Sequence, residues 1–285
     1  MSGIKDNMNG IKDNVSGTTD NMNGIKDHVF IHIPFNSFSE YRSRIAGYRI
    51  NPEILVTAED LDGAPNEDIE KIGRFLEEHK LSCTIHGPFL DLNPGSSDSK
   101  IRRISQDRYR QLLSLVAPLA PKVVVFHAAF DHLFYEERTG AWLYRSIETW
   151  LSVAEAAENA RTSIALENVL ERTPQIIQEL LLKINSPSIG MCFDIGHAHI
   201  FSQVPSSDWI TVLGPRIFEL HLHDNHGQKD EHLALGEGTI GVEGLLKMVQ
   251  EKELSPALTI EALNEEHALL SVQRLCTFLS KKERE

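Results

Sequence analysis

Eight short runs rich in β-branched residues, separated by segments of helical period, constrain this chain more than any other feature. They read as strands at 29–33 (VFIHI), 53–57 (EILVT), 82–86 (SCTIH), 122–127 (KVVVFH), 162–168 (TSIALEN), 189–195 (IGMCFDI), 217–223 (IFELHLH) and 257–262 (ALTIEA). The spacers at 66–79, 100–119, 141–160, 174–184, 242–251 and 265–280 carry apolar residues three and four apart, the pattern of a helix with one buried face. Strands alternating with helices over about 250 residues predict an α/β protein built as a single-domain (β/α)8 barrel. A doubly wound sheet needs a glycine-rich phosphate turn after its first strand, and Pro34-Phe35-Asn36 is nothing of the kind.

The barrel is expected over residues 29–285. Residues 1–28 differ, running as an imperfect heptapeptide repeat: SGIKDNM, NGIKDNV, SGTTDNM, NGIKDH. The period suits a coiled coil, but every unit carries Gly and Asn and too little apolar surface for one. A flexible tail without chemistry is the expectation. No apolar run reaches membrane-span length, and the first residues have neither a basic patch nor an apolar stretch of signal-peptide type. Cys83, Cys192 and Cys276 form no CxxC pair and read as buried reduced thiols. A cytoplasmic protein with no membrane partner follows as the expectation. The net charge of −13 opposes a broad surface for nucleic acid backbone. Carboxylates in a metal site would inflate that figure, and three dications would bring it to roughly −7.

Polar chemistry gathers where a barrel places its active site, at the C-terminal ends of the strands. The third strand ends at His86, the fourth at His127, the fifth at Glu167 and the sixth at Asp194, with His197 just beyond. The seventh carries His221, with Asp230 and His232 on the loop that follows, and the eighth carries Glu261. Residues 217–240 are the densest stretch, holding four histidines (His221, His223, His226, His232) together with Asp224 and Asp230. Alternation gives these side chains a common direction. Ile164 and Leu166 oppose Ala165 and Glu167; Met191 and Phe193 oppose Cys192 and Asp194; Leu258 and Ile260 oppose Thr259 and Glu261. The large apolar face suits the surrounding helices, so the polar set points to the barrel axis. A single histidine at a strand end is usually an ordinary hydrogen-bonded residue, but six strand ends together point to a metal site.

The motifs Phe126-His127, Leu166-Glu167-Asn168, Asp194-x-x-His197, His221-Leu-x-Asp224 and Asp230-x-His232-x-x-Leu-Gly-Glu-Gly-x-Ile-Gly241 resemble the xylose isomerase-like barrel superfamily. That group holds sugar isomerases and epimerases as well as the endonuclease IV-like phosphodiesterases. Resemblance to its epimerases implies one Mn²⁺ or Mg²⁺ held by Glu167, Asp194, His221 and Glu261, with Glu167 and Glu261 as the catalytic pair exchanging protons beside a carbonyl. Resemblance to its nucleases implies up to three Zn²⁺. His86, His127 and Glu167 would hold one, Glu167, Asp194, His221 and Glu261 the second, and His197, Asp230 and His232 the third. A one-metal isomerase has no physical need of Asp230 and His232 together with His86 and His127. A phosphodiester does need neighbouring dications, which activate water at neutral pH and neutralise phosphoryl charge. Phosphodiester hydrolysis is therefore the preferred expectation, with a sugar or sugar-phosphate isomerase or epimerase as the alternative.

The loops after the first two strands, Pro34-Phe-Asn-Ser-Phe-Ser-Glu-Tyr41 and Ala58-Glu-Asp-Leu-Asp-Gly63, lack the cations a duplex would need, and the second is acidic. Scattered Lys100, Arg102, Arg103, Arg138 and Lys229 do not make a track. The expected partner is a small phosphodiester, sugar or sugar phosphate, with duplex DNA disfavoured. His223, Asn168 and Asp224 are expected to support metal ligands. His199 and His226 read as loop residues near the site, and Phe130, Phe134 and Tyr135 as either a stacking platform or a packed loop cluster.

Overall fold

The structure, a computed structural model, describes residues 26–63 and 65–280. The repeat up to residue 25 lies outside the described residues, and its last three, Lys26–His28, form one 3-10 turn leading into the first strand. The strands are β1 (Val29–Pro34), β2 (Asn51–Leu55), β3 (Thr84–His86), β4 (Val123–His127), β5 (Ser163–Glu167), β6 (Ile189–Asp194), β7 (Ile217–Leu222) and β8 (Ala257–Ile260). They pair in sequence order, all parallel, and β8 returns to β1 through Phe30 and Thr259, closing the barrel that the alternation predicts. Among the described helices, α1 (Phe38–Tyr48), α2 (Ala58–Asp62), α3 (Asn66–His79), α4 (Ser99–Leu115), α5 (His132–Tyr135) and α6 (Thr139–Ala160) belong to the first half. In the second half lie α7 (Gln175–Ile184), α8 (Ile195–Phe201), α9 (Ser206–Leu213), α10 (Val242–Glu251) and α11 (Glu265–Ser280).

Helices with a broad apolar stripe match the sequence reading closely. In α3, Ile69, Ile72, Phe75 and Leu76 are buried, and in α7 Ile176, Ile177, Leu180, Leu181 and Ile184. The helix α1 escapes a periodicity search because its buried side chains are only Phe38 and Ile45. The second strand also departs from expectation, starting at Asn51 rather than at 53. Asn-Pro reads as a turn, yet Asn51 anchors the strand start: its Nδ2 donates to the Val29 carbonyl at 3.2 Å and its Oδ1 accepts from Ser82 N at 2.9 Å. Glu53 is thereby moved from the edge of β2 to its middle, opposite His32 of β1.

Side chains on the outer faces of the strands, including Ile164, Leu166, Met191 and Phe193, join the helices in one continuous core. The fully buried Trp142, Trp150 and Trp209 lie in that core too. Inside the barrel Val123, Val125, Ala165 and Cys192 form a small apolar plug on β4, β5 and β6. The strands β2, β3, β7 and β8 contribute a polar group instead: Glu53, Thr84, Glu219 and Thr259, none of them solvent-accessible. Glu219 Oε1 accepts from Thr84 Oγ1 at 3.1 Å and from Thr259 Oγ1, while its Oε2 has no partner. Burial, reinforced by the neighbouring Glu53 charge, pushes the Glu219 carboxyl well above its ordinary range and favours its protonated form.

A raised folded-state pKa gives a contribution that is complete below the unfolded value of 4.5 and erodes as pH climbs toward the folded one. Glu219→Gln keeps a neutral group and removes that erosion. Its Tm relative to the wild type is expected to rise as the pH climbs above 4.5 in thermal unfolding; a difference that stays constant with pH would mean that folding does not raise the Glu219 pKa.

Candidate metal centre

Register brings the predicted donors together. His127 pairs with Glu167 across β4 and β5, and Asp194 with His221 across β6 and β7, while His86 lies opposite Leu55 at the top of β3. Glu261 follows β8 directly, and its backbone N donates to the Leu222 carbonyl at 3.2 Å. The result is three adjoining groups. In the first, Glu167 Oε2 lies 3.0 Å from His86 Nε2 and 3.4 Å from His127 Nε2. In the second, His221 Nδ1 faces three carboxylates, at 3.3 Å from Glu261, 3.6 Å from Glu167 and 3.9 Å from Asp194. In the third, His197 Nε2 is 3.4 Å and His232 Nε2 is 3.0 Å from Asp230 Oδ2. His197 Nδ1 also approaches Glu167 Oε1 at 3.2 Å, which ties the third group to the first. Every candidate ligand named from the sequence therefore lies in one cluster at the C-terminal mouth of the barrel.

Local chemistry fixes these side chains. The α8 helix starts at once after β6, with Asp194 as its N-cap accepting from His197 N at 2.6 Å, so one residue pair serves both cap and centre. Asn168 clasps the Asp194 backbone in both directions, at 3.0 Å and 2.9 Å. Gly196 is required by space, because a Cβ there would fall 1.9 Å from the His223 ring. His232 sits in the left-handed region at φ 49°, a conformation that costs a non-glycine residue on the order of 1 kcal/mol or more. It is held there by the bridge between Asp224 and Leu233, at 3.0 Å and 2.9 Å.

The buried atoms fit metal ions. Nδ1 of His221 and Nδ1 of His223 are inaccessible to solvent and have no hydrogen-bond partner, although carboxylates surround the first. Among the described residues, the ion-pair partners of Glu53, Glu167, Asp194, Asp230 and Glu261 are all histidines, with no Lys or Arg among them. Burial opposes ionisation of Glu167, but His127 and His221 outweigh it and hold the carboxyl well below its ordinary range. Burial likewise favours neutral imidazoles, yet Glu167 lifts His86 to about 9, and Asp194, Asp230 and Glu167 lift His197 to about 12. Protons on these rings supply the positive charge that a dication would supply instead. The groupings able to hold an ion include His86–His127–Glu167, His86–His221–Glu261 and His223–His232–Glu261.

A family model described as xylose isomerase-like TIM barrel matches residues 53–282. The chain belongs to that family. An uncharacterized protein of Methanocaldococcus jannaschii is 29% identical over 220 residues, spanning 75% of this chain and 75% of its own length. A probable endonuclease 4 of Mycoplasmoides gallisepticum is 27% identical over 209 residues, covering 65% of this chain and 67% of that protein. The crystal structure of a D-tagatose 3-epimerase-like protein superposes with a TM-score of 0.77 and 24% identity, over 88% of this chain and 97% of the other. At that identity the likeness shows the fold alone.

This xylose isomerase-like barrel also uses residues that sequence reasoning missed. Glu53 is fully buried, with Oε1 2.7 Å from His32 Nδ1 and Oε2 3.2 Å from His221 Nε2. The imidazoles of His221 and His32 overcome its burial and keep it ionised. A carboxylate behind a ligating histidine fixes the ring's tautomer and raises its basicity. His32 reaches further, with Nδ1 3.3 Å from Glu261 Oε1. Alternation on β1 and β2 could have found both, since His32 and Glu53 fall inside the expected strands and pair across them. Glu171 is a third: its carboxylate accepts from Val169 N at 2.7 Å and Phe130 N at 3.2 Å, joining the loops that follow Glu167 and His127. His223 is closer to the centre than expected, with Nε2 3.3 Å from Asp194 and its ring stacked 4.1 Å from His232.

Two expectations change and one open alternative resolves. Asp224 does not support a ligand side chain; it accepts from Asn225 N, Gly236 N and Ile240 N and so folds the 236–240 turn. Phe130 and Tyr135 pack around Trp142, at 5.0 Å and 6.3 Å, leaving Phe134 exposed. The wall beside the first group is instead Phe89, stacked 4.4 Å from His127. His199, expected on a loop, lies in α8 and meets Thr239, while His226 is held by Glu231.

Glu53→Gln keeps the size of the side chain and removes its charge. Metal affinity measured by chelator competition is expected to fall about 10- to 100-fold with stoichiometry retained. Undiminished affinity would leave Glu53 without the supporting role assigned to it.

Proposed function

We propose that this barrel is a metal-dependent hydrolase of small phosphodiesters working at a zinc cluster. The observation that carries the reading is the third donor group: Asp230 lies 3.4 Å from His197 and 3.0 Å from His232, and His197 in turn lies 3.2 Å from Glu167. A one-ion centre gains nothing from a third group of donors. His86, His127 and Glu167 would hold one ion, Glu167, Asp194, His221 and Glu261 the second, and His197, Asp230 and His232 the third. When bound, such ions activate water and neutralise charge on phosphoryl and leaving oxygens. The protein's own part is orientation: Glu53 aims His221, Asn168 fixes the Asp194 backbone, and Phe89 shields the His127 side.

The surroundings favour a small substrate over duplex DNA. Arg108 is engaged by Asp62, Arg102 by the Ser96 carbonyl and Arg145 by the Gly95 carbonyl. After β2, where a loop was expected, Ala58–Asp62 forms α2, and Asp60 completes a capping box with Thr57. Arg102, Arg108 and Arg145 are thus committed within the protein rather than offered to a phosphate backbone.

A second reading, sugar or sugar-phosphate isomerisation or epimerisation over one Mn²⁺ or Mg²⁺, is favoured by the position of Glu167 and Glu261 on either side of His221 Nδ1. Each carboxylate could then exchange a proton beside a carbonyl. Elemental analysis separates the two readings: close to three zinc ions per chain is expected, whereas a single exchangeable ion would put the isomerase in front. With an activated aryl phosphodiester, Asp230→Ala is expected to lower kcat by about 100-fold or more, equivalent to about 3 kcal/mol of transition-state stabilisation. No turnover by the zinc-loaded wild type would overturn the hydrolase assignment.

A further inference from the structure

We propose that His223 is a further metal ligand, its Nδ1 joining His197, Asp230 and His232 on the third ion; this rests on the three-ion reading of the centre. His223 follows the last residue of β7, two positions after His221, and so points into the barrel with it. It is fully buried, and its ring repeats the arrangement of His221. One nitrogen of each meets a carboxylate: Nε2 of His221 lies 3.2 Å from Glu53, and Nε2 of His223 lies 3.3 Å from Asp194. The other nitrogen of each, Nδ1, is out of reach of solvent and has no hydrogen-bond partner. A carboxylate keeps the proton on the nitrogen it faces, which leaves Nδ1 of His223 with a lone pair and no donor to receive. A buried polar atom in that state is costly, and a cation is the partner it lacks.

Asp230 marks where that atom is aimed. Its Oδ2 lies 3.4 Å from His197 Nε2 and 3.0 Å from His232 Nε2, and its Oδ1 lies 3.7 Å from His223 Nδ1. Two donors on one tetrahedral zinc ion, each at about 2.0–2.2 Å, stand roughly 3.3–3.6 Å apart. The three separations bracket that range. Burial opposes ionisation of Asp230, yet His197, His232 and His223 outweigh it and hold the carboxyl below its ordinary range. His223 also lies flat against His232, with 4.1 Å between ring centres and 6° between planes.

The chain around the ring is shaped to admit it. A Cβ at Gly196, the second residue of α8, would run into the His223 imidazole. Support of Asp194 alone gives little reason for that space. Asn168 already clasps the Asp194 backbone, and the carboxylate already accepts from His197 N at 2.6 Å. With His223 the third group offers three imidazoles and one carboxylate. Four donors of that kind suit zinc, whereas Mg²⁺ and Mn²⁺ favour oxygen.

Two substitutions separate ligation from support, because a glutamine amide reaches the place of Nε2 and an asparagine amide the place of Nδ1. His223→Gln keeps a donor for Asp194 and removes the Nδ1 lone pair, and His223→Asn does the reverse. Zinc per chain is measured by elemental analysis after equilibration with buffered free zinc, with circular dichroism as the control on folding. The wild type and His223→Asn are expected to hold about three ions and His223→Gln about two. Three ions retained by His223→Gln at wild-type affinity would overturn ligation by His223 and leave the three-ion reading in place. A second measurement needs no folded variant: the wild type with ¹⁵N-labelled histidine is loaded with ¹¹³Cd, and direct coupling between the metal and Nδ1 of His223 is expected. If both variants lose an ion or fold poorly, that coupling decides, and its absence sinks the proposal. Fewer than three ions in the wild type would overturn the three-ion reading and this ligand with it.

Discussion

The Glu53 carboxylate, out of reach of solvent between His32 and His221, is the contact on which the rest of the centre depends. An ionised carboxylate in a barrel interior is costly to desolvate. It persists because two imidazoles address its two oxygens, and removing one member of such a buried set commonly costs about 3–5 kcal/mol. The same contact turns the opposite nitrogen of His221 toward Glu167, Asp194 and Glu261. One buried pairing thus connects the packing of β1, β2 and β7 with the geometry of the donors. Near it, burial and the Glu53 charge push the Glu219 carboxyl well above its ordinary range, whereas imidazoles hold Glu53 below its own. The barrel accommodates two carboxyls by shifting them in opposite directions.

Much of this was legible in the sequence because barrel geometry converts chain order into position. Strand ends alternate predictably between axis and helices, so Glu167, Asp194 and Glu261 could be placed together from Leu-Glu, Phe-Asp and Ile-Glu alone. Asp230 and His232 could not be placed that way. Their position depends on a loop folded by Asp224, whose side chain accepts from Gly236 N and Ile240 N far along the chain; the motif, not periodicity, identified them. What escaped notice was hidden by local signals pointing elsewhere. Asn51-Pro52 looks like a turn, and it left Glu53 at the apparent edge of β2 rather than in its middle opposite His32. The weak apolar face of α1 concealed a helix.

Strain and support are distributed unevenly among the three donor groups. Glu167, Asp194 and His221 lie at strand ends and have almost no exposure. His232 and Asp230 sit on the loop, about a third exposed, with His232 held at positive φ. Strain of this type survives only where the surroundings over-determine the backbone. The Asp224–Leu233 bridge and the stacking of His223 on His232 do so here. The loop donors are thus the less protected part of the centre, yet they are the part that distinguishes a cluster from a single-ion site.

Charge balance gives the metal reading its thermodynamic weight. Glu53, Glu167, Asp194, Asp230 and Glu261 converge without a lysine or arginine partner among the described residues, and only imidazoles offset them. Imidazoles can do so only while protonated, which costs free energy as the pH rises above their unfolded values near 6.5. A dication held by these side chains would remove that dependence, displacing the ring protons and giving the unpartnered Nδ1 of His221 a partner. Binding to the folded chain alone then adds directly to stability by mass action. The convergence of carboxylates that burdens the ion-free fold is the same one that would make it favour a bound cation.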